Sequence, residues 1–277
     1  MAIADFASYK DKRDQNNTRI LFSKIQITVT GSRLNSYWTA LPFGGVAPTT
    51  AVVPDRTTQG ALHSTSGLQM PSFTNGRIVG IRTEITTTTA ATSQPTIMLC
   101  DRLSHQGGLS GTTVGAQTTN LPTAAITRGD TTGADVWAAL EVYTALGATG
   151  TTVSCSYTRP DGTSGRTTPD VAIGATGFNS IGRLIVLPNQ LDDKGFRSVE
   201  SVSLAGTTGT AGNFGVTLFR PLLTWTITTS GPCEWDPIID NGGICPVIPT
   251  DACLFWCIIA GGTPGPTFFT EMLVAED

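Results

Sequence analysis

The sequence contains few charged side chains and very few histidines. Charged residues make up 14% of its 277 positions, and the only two histidines are His63 and His105. Ordinary soluble domains carry roughly 25% charged residues, so this surface relies on neutral hydrogen-bonding groups, mainly threonine and glycine. Such a surface suits a protein that is packed against neighbours. It is also typical of threonine-rich β proteins in general.

Signals for nucleic-acid and membrane partners are also missing. The net charge is −4 and the isoelectric point is near 5.2, whereas a protein that grips phosphate backbones needs a basic patch. No apolar run reaches the roughly 20 residues of a membrane span, and residues 1–6 lack the basic start and apolar core of a signal peptide. We therefore expect no nucleic-acid partner, no membrane partner and a cytosolic site of synthesis.

The cysteines show no pattern of a metal site or of a disulfide framework. Cys100 and Cys155 lie singly in apolar strand-like runs, where a reduced thiol serves as a small hydrophobic group. The remaining four are clustered near the C-terminus without a CxxC pair or a nearby histidine, which a usual zinc site needs; they are Cys233, Cys245, Cys253 and Cys257. We expect free thiols, no bound metal and no other cofactor.

No arrangement of catalytic residues stands out. His63 and His105 lie in polar stretches without a serine-elbow motif, and the nearest approach to a triad is the run from Asp101 to His105. A triad needs a histidine that takes a proton from the nucleophile and an acid that orients it, so we prefer a loop-anchoring role for this run. The pair Asp192 and Asp193 is interpreted as a turn. The sequence therefore predicts a protein without enzymatic activity.

The sequence does have a repeated alternation of strand-forming runs and turn residues. Val153, Cys155 and Tyr157 point one way, at the period of two that marks a half-buried strand. The Pro160-Asp161-Gly162 run that follows favours a tight turn. Many short strands at near-regular spacing predict a mainly β chain, an antiparallel β-sandwich of the jelly-roll-like type with extended N- and C-terminal segments.

The chain divides into three predicted segments. Residues 1–22 form an N-terminal arm with a short helix, residues 23–230 form the β-sandwich domain with a long loop at 42–76, and residues 231–277 form a C-terminal extension rich in proline, cysteine and aromatic residues. Within the extension, residues 254–260 are apolar enough to form one more strand. The alternative for the arm is ordinary terminal fraying.

The two terminal segments carry the residues that we expect to form contacts. In the arm, large apolar side chains recur at every third position, as on one face of a helix that docks on a neighbouring subunit. In the C-terminal segment, aromatic side chains anchor the chain, since a few buried groups can carry most of an interface. The predicted interface residues are Ile3, Phe6, Tyr9, Trp235, Phe255, Trp256, Phe268 and Phe269.

Four segments resemble a family of tailed-bacteriophage virion structural proteins. They are Asp101–Gly111, Leu140–Thr144, Tyr157–Arg166 and Arg197–Val202. The resemblance implies a non-enzymatic building block of the particle, located in the virion after assembly in the host cytoplasm. The partners it implies are the major capsid protein or other virion proteins. We also expect a homo-oligomer, with a trimer as the assumed state.

Within that family we expect a head decoration or cement protein, because a β-sandwich with extended straps can span the joints between capsid subunits. The alternatives are a neck, tail or head-fibre component. A rival from another class is a carbohydrate-binding or glycan-hydrolysing phage protein. A retaining glycosidase needs two carboxylates about 5 Å apart in a groove, and that geometry is not readable from sequence.

Overall fold

The computed structural model describes residues 6–14, 17–24, 36–40, 73, 75–86, 96–119, 126, 128–175, 177–226, 231–260 and 267–276. Ile3, His63 and nearly all of the predicted loop at 42–76 lie outside these residues. The helices and strands of the described ranges are α1 (Phe6–Asp14), β1 (Thr18–Lys24), β2 (Ser36–Ala40), β3 (Gly76–Thr86), β4 (Thr96–Leu109), β5 (Gly115–Thr118), β6 (Trp137–Thr144), β7 (Thr151–Thr158), β8 (Arg166–Thr167), β9 (Val171–Ile173), β10 (Arg183–Val186), β11 (Ser198–Leu204), β12 (Asn213–Thr226), β13 (Gly231–Trp235), α2 (Pro237–Asp240), β14 (Val247–Ile248), β15 (Leu254–Ala260) and β16 (Thr267–Glu276).

Six strands close into an antiparallel barrel in the order β10-β2-β15-β4-β12-β6. Side chains at alternate positions of the barrel strands form an apolar cluster that includes Cys100, Phe219 and Phe255. Because successive side chains point to opposite faces of a strand, the side chains between these positions face away from the cluster. The barrel thus buries side chains on both of its faces.

Two five-stranded sheets cover the barrel from outside. The terminal sheet has the order β1-β16-β3-β13, with β14 also paired to β3; the middle sheet has the order β5-β11-β7-β8, with β9 also paired to β7. Leu99 and Trp256 pack the barrel against the terminal sheet, while Leu103 and Leu140 pack it against the middle sheet. The prediction of a mainly β, antiparallel, sandwich-type fold is confirmed, and the closed barrel between the sheets adds a feature that the sequence did not predict.

Local sequence explains the best predicted strand. β7 ends at Thr158, and its alternate residues Val153, Cys155 and Tyr157 are buried in the core beneath the middle sheet, as predicted. The chain then reverses, with Gly162 at φ +89°, a left-handed conformation that favours glycine. The Gly162 amide donates to the Arg159 carbonyl oxygen at 2.9 Å, which closes the predicted turn.

The proline at position 221 marks a bulge, as its missing amide donor requires. β12 carries Pro221 in its middle and pairs with β4, and the register between the two strands shifts between Pro221 and Leu223. A further shift lies between Leu218 and Phe219. Bulges bend long strands, and both β4 and β12 have 14 residues, which lets them contribute to the cores under both sheets.

The C-terminal residues are part of the sheets rather than an extension that wraps around them. β15 lies between β2 and β4 in the barrel, and β16 lies between β1 and β3 in the terminal sheet. Both strands therefore have hydrogen-bonded neighbours on each side, which a peripheral strap would not have. The prediction of a strand at residues 254–260 is confirmed.

Candidate functional site

A buried ion pair joins two strands that are separated by β12. Arg102 of β4 donates from Nη2 to Glu141 Oε1 of β6 at 3.2 Å, and the two side chains are only 4% and 1% exposed. Glu141 Oε2 also accepts from Thr217 Oγ1 of β12 at 2.6 Å and from Tyr143 Oη at 3.2 Å. The Arg102 guanidinium carbon lies 4.6 Å from the centroid of the Phe255 ring. These contacts replace part of the hydration that both charges lose on burial, while the Arg102 Nε is buried without a hydrogen-bond acceptor among the described residues.

A second buried ion pair holds a loop against the barrel. Arg128 donates from Nε and Nη2 to the two oxygens of Asp101, at 3.1 Å and 2.8 Å. It also donates from Nη2 to the Arg102 carbonyl oxygen at 2.9 Å. The Cys253 amide donates to Asp101 Oδ1 at 2.9 Å, just before β15 begins. Asp101 thereby fixes two distant segments to one point on β4.

His105 faces a cation rather than an acid. Its Nδ1 lies 3.3 Å from Arg102 Nη1, and its ring meets the Tyr143 ring edge-on at a centroid distance of 6.3 Å. Burial, assisted by the Arg102 charge, lowers the pKa of His105 to about 4. The histidine is therefore neutral at pH 7. Because the Asp101 oxygens are held by Arg128 and Cys253, the Asp101–His105 run does not build a triad, and its role is to anchor the barrel.

An open cleft of about 220 Å³ lies beside the turn after β7. It is lined by Arg159, Pro160, Asp161, Asp192, Asp193 and Lys194. The Asp193 carboxylate is fully covered, and it accepts hydrogen bonds from Tyr157, from Arg166 Nε at 3.0 Å and from Arg159 Nη1 at 3.3 Å. The predicted turn at Asp192 and Asp193 is present, since the Asp193 amide donates to the Gln190 carbonyl oxygen at 3.1 Å. The Asp193 side chain also ties the turn after β7, β7 itself and β8 together.

The electrostatics of this cleft do not favour glycoside hydrolysis. Burial raises the pKa of Asp193, but the hydrogen bonds from Tyr157, Arg166 and Arg159 outweigh it and leave the pKa below its ordinary value. Hydrogen bonds from Arg159 and Thr163 also lower the pKa of Asp161. A general acid for sugar cleavage needs a raised carboxyl pKa. Both carboxylates therefore serve as hydrogen-bond acceptors.

The arm helix α1 docks on the side of the terminal sheet that faces away from the barrel. Tyr9 is buried with Val79 and Ala275 of that sheet, and its hydroxyl donates to the Val79 carbonyl oxygen at 3.1 Å. Burial and the nearby Asp236 raise the pKa of Tyr9 to about 12. Arg13 forms an ion pair with Asp236. We call this side, together with α1 and residues 236–247, the outer face.

The predicted interface residues divide into two groups. Tyr9, Trp235, Phe255 and Trp256 are between 1% and 5% exposed and pack within this chain, so they are not available to a neighbouring subunit. Phe6 and Phe269 are 68% and 43% exposed, and their role at an interface stays a prediction. Ile3 and the side chain of Phe268 lie outside the described residues. The apolar repeat in the arm thus serves intramolecular docking through Tyr9 and leaves Phe6 uncovered.

Sequence reasoning missed four exposed aliphatic side chains next to α1. Residues 236–247 form what we call the α2 loop, and within it Ile238, Ile239, Ile244 and Val247 are 40%, 82%, 68% and 41% exposed. The signal lies in the apolar run Pro237–Ile239 shortly before Gly242 and Gly243, but aromatic residues are the stronger general indicator of an interface. Large aliphatic groups concentrated in one surface loop indicate a contact site.

Comparisons with known proteins give one weak similarity. No protein-family model matches the sequence, and no curated protein matches it. The structure of infectious bursal disease virus Gx strain has 10% sequence identity and a TM-score of 0.20, over 94% of this chain and 80% of that chain. The VP2 subviral particle of the same virus has 10% identity and a TM-score of 0.20, over 95% and 82%. At these values the two similarities carry no argument about the fold or the role of this chain, and no comparison matches it to a tailed-phage family.

Two further properties bear on partner classes. In the part of the chain that the structure describes, no three His, Cys, Asp or Glu side chains are grouped closely enough to hold a metal ion. Neither of the helices within the described ranges is long and apolar enough to cross a membrane.

Proposed function

We propose that this chain is a structural subunit of a virus particle and that it acts by binding other particle proteins and further copies of itself. The observation that carries the proposal is the uneven distribution of exposed apolar side chains. Among the described residues, six of the ten large apolar side chains that are exposed belong to the outer face. Surfaces of this kind mark protein–protein contact sites. The six are Phe6, Ile238, Ile239, Ile244, Val247 and Phe269.

The interior of the chain suits a passive building block. The barrel is braced by the Arg102–Glu141 and Asp101–Arg128 ion pairs, which hold strands and loops that lie far apart in the sequence. The low content of charged residues, 14%, suits a surface that is covered by neighbours. The sequence resemblance to tailed-phage virion structural proteins supports the same class of function.

At finer detail, we propose a tailed-phage head decoration or cement protein that binds the major capsid protein and assembles in the host cytoplasm as a homo-oligomer, with a trimer as the working state. The same observations support a neck, tail or head-fibre component, which differs only in its location on the particle. The cleft beside Asp193 favours a second candidate function, the binding of a carbohydrate, because fixed Arg and Asp groups can hydrogen-bond sugar hydroxyls.

The test is to purify particles from infected cells and to locate the chain by peptide mass spectrometry and by electron cryomicroscopy. We expect the chain on the particle with the outer face against a neighbour. Particles assembled with an Ile239→Asp variant should contain fewer copies of the chain than wild-type particles. A Val114→Asp variant, altered at an exposed position away from the outer face, should be incorporated normally. Absence of the chain from purified particles contradicts the proposal. Binding on a glycan array without particle incorporation favours the carbohydrate candidate.

A further inference from the structure

The α2 loop is preformed. Asp236 caps α2 by accepting from the Ile238 amide at 2.8 Å, and its own amide donates to Asp240 Oδ2 at 2.7 Å. The Gly243 amide donates to the Pro237 carbonyl oxygen at 2.8 Å. A loop that is already ordered loses little conformational entropy when it binds. Binding through the aliphatic side chains of this loop therefore costs little conformational entropy.

α1 brings a second apolar group next to this loop. Arg13 of α1 forms an ion pair with Asp236, at the start of the loop. Tyr9 of α1 and Cys245 of the loop belong to the same buried cluster. Phe6, one turn before Tyr9, is 68% exposed. One chain therefore presents an aliphatic loop and an aromatic helix side by side.

Charge determines which kind of partner fits the loop. No lysine or arginine follows Arg220 in the sequence, whereas seven acidic residues do. The side chain of Glu234, beside the loop, is 60% exposed and lies 4.0 Å from Arg13 Nη2 of the same chain. A protein partner that matches this surface offers an apolar group beside a basic one. The N-terminal segment of this same chain has both on α1, because Phe6 and Lys10 are exposed, whereas Arg13 and Arg19 pair with Asp236 and Glu271 of their own chain.

We propose that the α2 loop of one copy packs against α1 of a second copy, with Ile239 and Ile244 against Phe6 and the acidic edge of the loop facing Lys10. Two such contacts related by a twofold axis give a dimer, and three contacts in a ring give a trimer. The inference rests on the proposed function, since it names the surface by which copies of the subunit join. The apolar part resembles the patches of about 300–600 Å² found on single chains, so the association is expected to depend on protein concentration.

The first experiment compares self-association of the full chain and two double variants by sedimentation velocity over a concentration series. Ile239→Asp with Ile244→Asp should weaken association at least about tenfold, since two charges would replace apolar groups in the contact. Val114→Asp with Leu191→Asp, at exposed positions away from the outer face, should associate like the wild type. A milder Ile239→Ser with Ile244→Ser pair, checked by thermal unfolding, gives the same readout if the aspartates disturb folding.

The second experiment shows whether the contact joins two copies of this chain. Lys10→Glu and Glu234→Lys should each weaken association when present alone, and an equal mixture of the two variant chains should associate more strongly than either variant alone, because opposite charges then meet between unlike chains. Rescue in the mixture requires that both residues face one another between copies, since mixing changes no contact within a chain. Equal association of all these variants overturns the inference.

Other outcomes separate this inference from the proposed function. A wild-type chain that stays monomeric at every concentration overturns the inference, and its presence on purified particles leaves the proposed function standing. If the chain associates through the α2 loop but is absent from purified particles, the inference stands and the proposed function is contradicted. Binding of the wild type to neutral phosphatidylcholine vesicles, lost in the Ile239→Asp, Ile244→Asp variant, would assign the loop to a lipid surface and also overturn the inference.

Discussion

Arg102 and Glu141 form an ion pair at 3.2 Å although their strands are not hydrogen-bonded to one another. β12 lies between the two strands, and its Thr217 side chain donates to the same carboxylate at 2.6 Å. The ion pair therefore links three consecutive strands of the barrel. A charge that is buried in this way stabilises the protein only while its partner is present.

Glu141→Ala should destabilise the chain by about 3–5 kcal/mol, because it leaves the Arg102 charge buried and unpaired. Urea unfolding measures the change. The matched control is Glu271→Ala, which removes the 2.8 Å ion pair with the exposed side chain of Arg19 and should cost about 1 kcal/mol or less. Equal losses in the two variants would contradict the structural role of the buried pair.

Stability should fall in mildly acidic solution because of His105. Its pKa is lowered from 6.5 to about 4 in the folded chain, so the unfolded chain binds a proton first as the pH falls. The contribution is fully present above pH 6.5, decreases as the pH falls from 6.5 to 4, and amounts to roughly 3 kcal/mol. Arg102, Glu141 and Tyr143 face the histidine, and the Arg102 charge opposes its protonation.

The measurement for His105 is the unfolding free energy at pH 7 and at pH 4.5 in the wild type and in His105→Asn. Carboxylates such as Asp193 also titrate at the acid end, so the difference between the two proteins is the relevant quantity. The variant should lose less stability over this interval than the wild type. Parallel pH curves for both proteins would show that the histidine makes no such contribution.

Docking of α1 should depend on Tyr9 and not on Phe6. Tyr9→Ala removes a buried ring and the hydrogen bond to Val79, so trypsin should cleave after Lys10 and Lys12 faster than in the wild type. Phe6→Ala removes a side chain that is 68% exposed and should leave the rate nearly unchanged. Timed digestion followed by mass spectrometry reports both rates. Fast cleavage of the wild type would indicate that the arm is frayed.

Gly215→Ala should disrupt the pairing of β12 with β4. A Cβ added at Gly215 overlaps the backbone carbonyl oxygen of Gln106 on β4, and backbone cannot rotate away as a side chain can. We expect a loss of 2 kcal/mol or more, of the order seen for overpacked cores. Gly80→Ala is the control, because its Cβ meets only the Leu273 side chain at ordinary contact distance. Thermal unfolding measures the loss of stability in both variants, and we expect a clearly larger loss for Gly215→Ala than for Gly80→Ala.

Patterns within a few residues were predicted well, and pairings across the chain were not. The alternation in β7 and the turn after it depend on neighbouring residues, and both were found. The ion pairs depend on residues 27 and 39 positions apart, which no local pattern connects. The run of β4 through Asp101 and Arg102 to Leu109 depends in the same way on distant residues, because partners on other segments neutralise both charges.

For the candidate contact site, too, the local pattern was predicted and the packing across the chain was not. The periodicity in the arm predicts one apolar face, but periodicity does not say whether that face meets the same chain or another one. Tyr9 is satisfied within the chain and Phe6 is not. The aromatic residues of β15 were predicted as anchors, yet they fill both faces of a closed barrel, which could not be anticipated without knowing that the barrel closes.

The position of β15 and β16 has a consequence for synthesis on the ribosome. β15 completes the barrel between β2 and β4, and β16 joins β1 to β3 in the terminal sheet, so strands made early receive their partners from the last stretch of the chain. Long-range pairing of this kind is slow and leaves unpaired edges exposed until it is complete. The nascent chain must therefore wait for residues 254–260 to leave the exit tunnel before the barrel can close, and for residues 267–276 before the terminal sheet is complete. Chaperones have that interval in which to hold the chain.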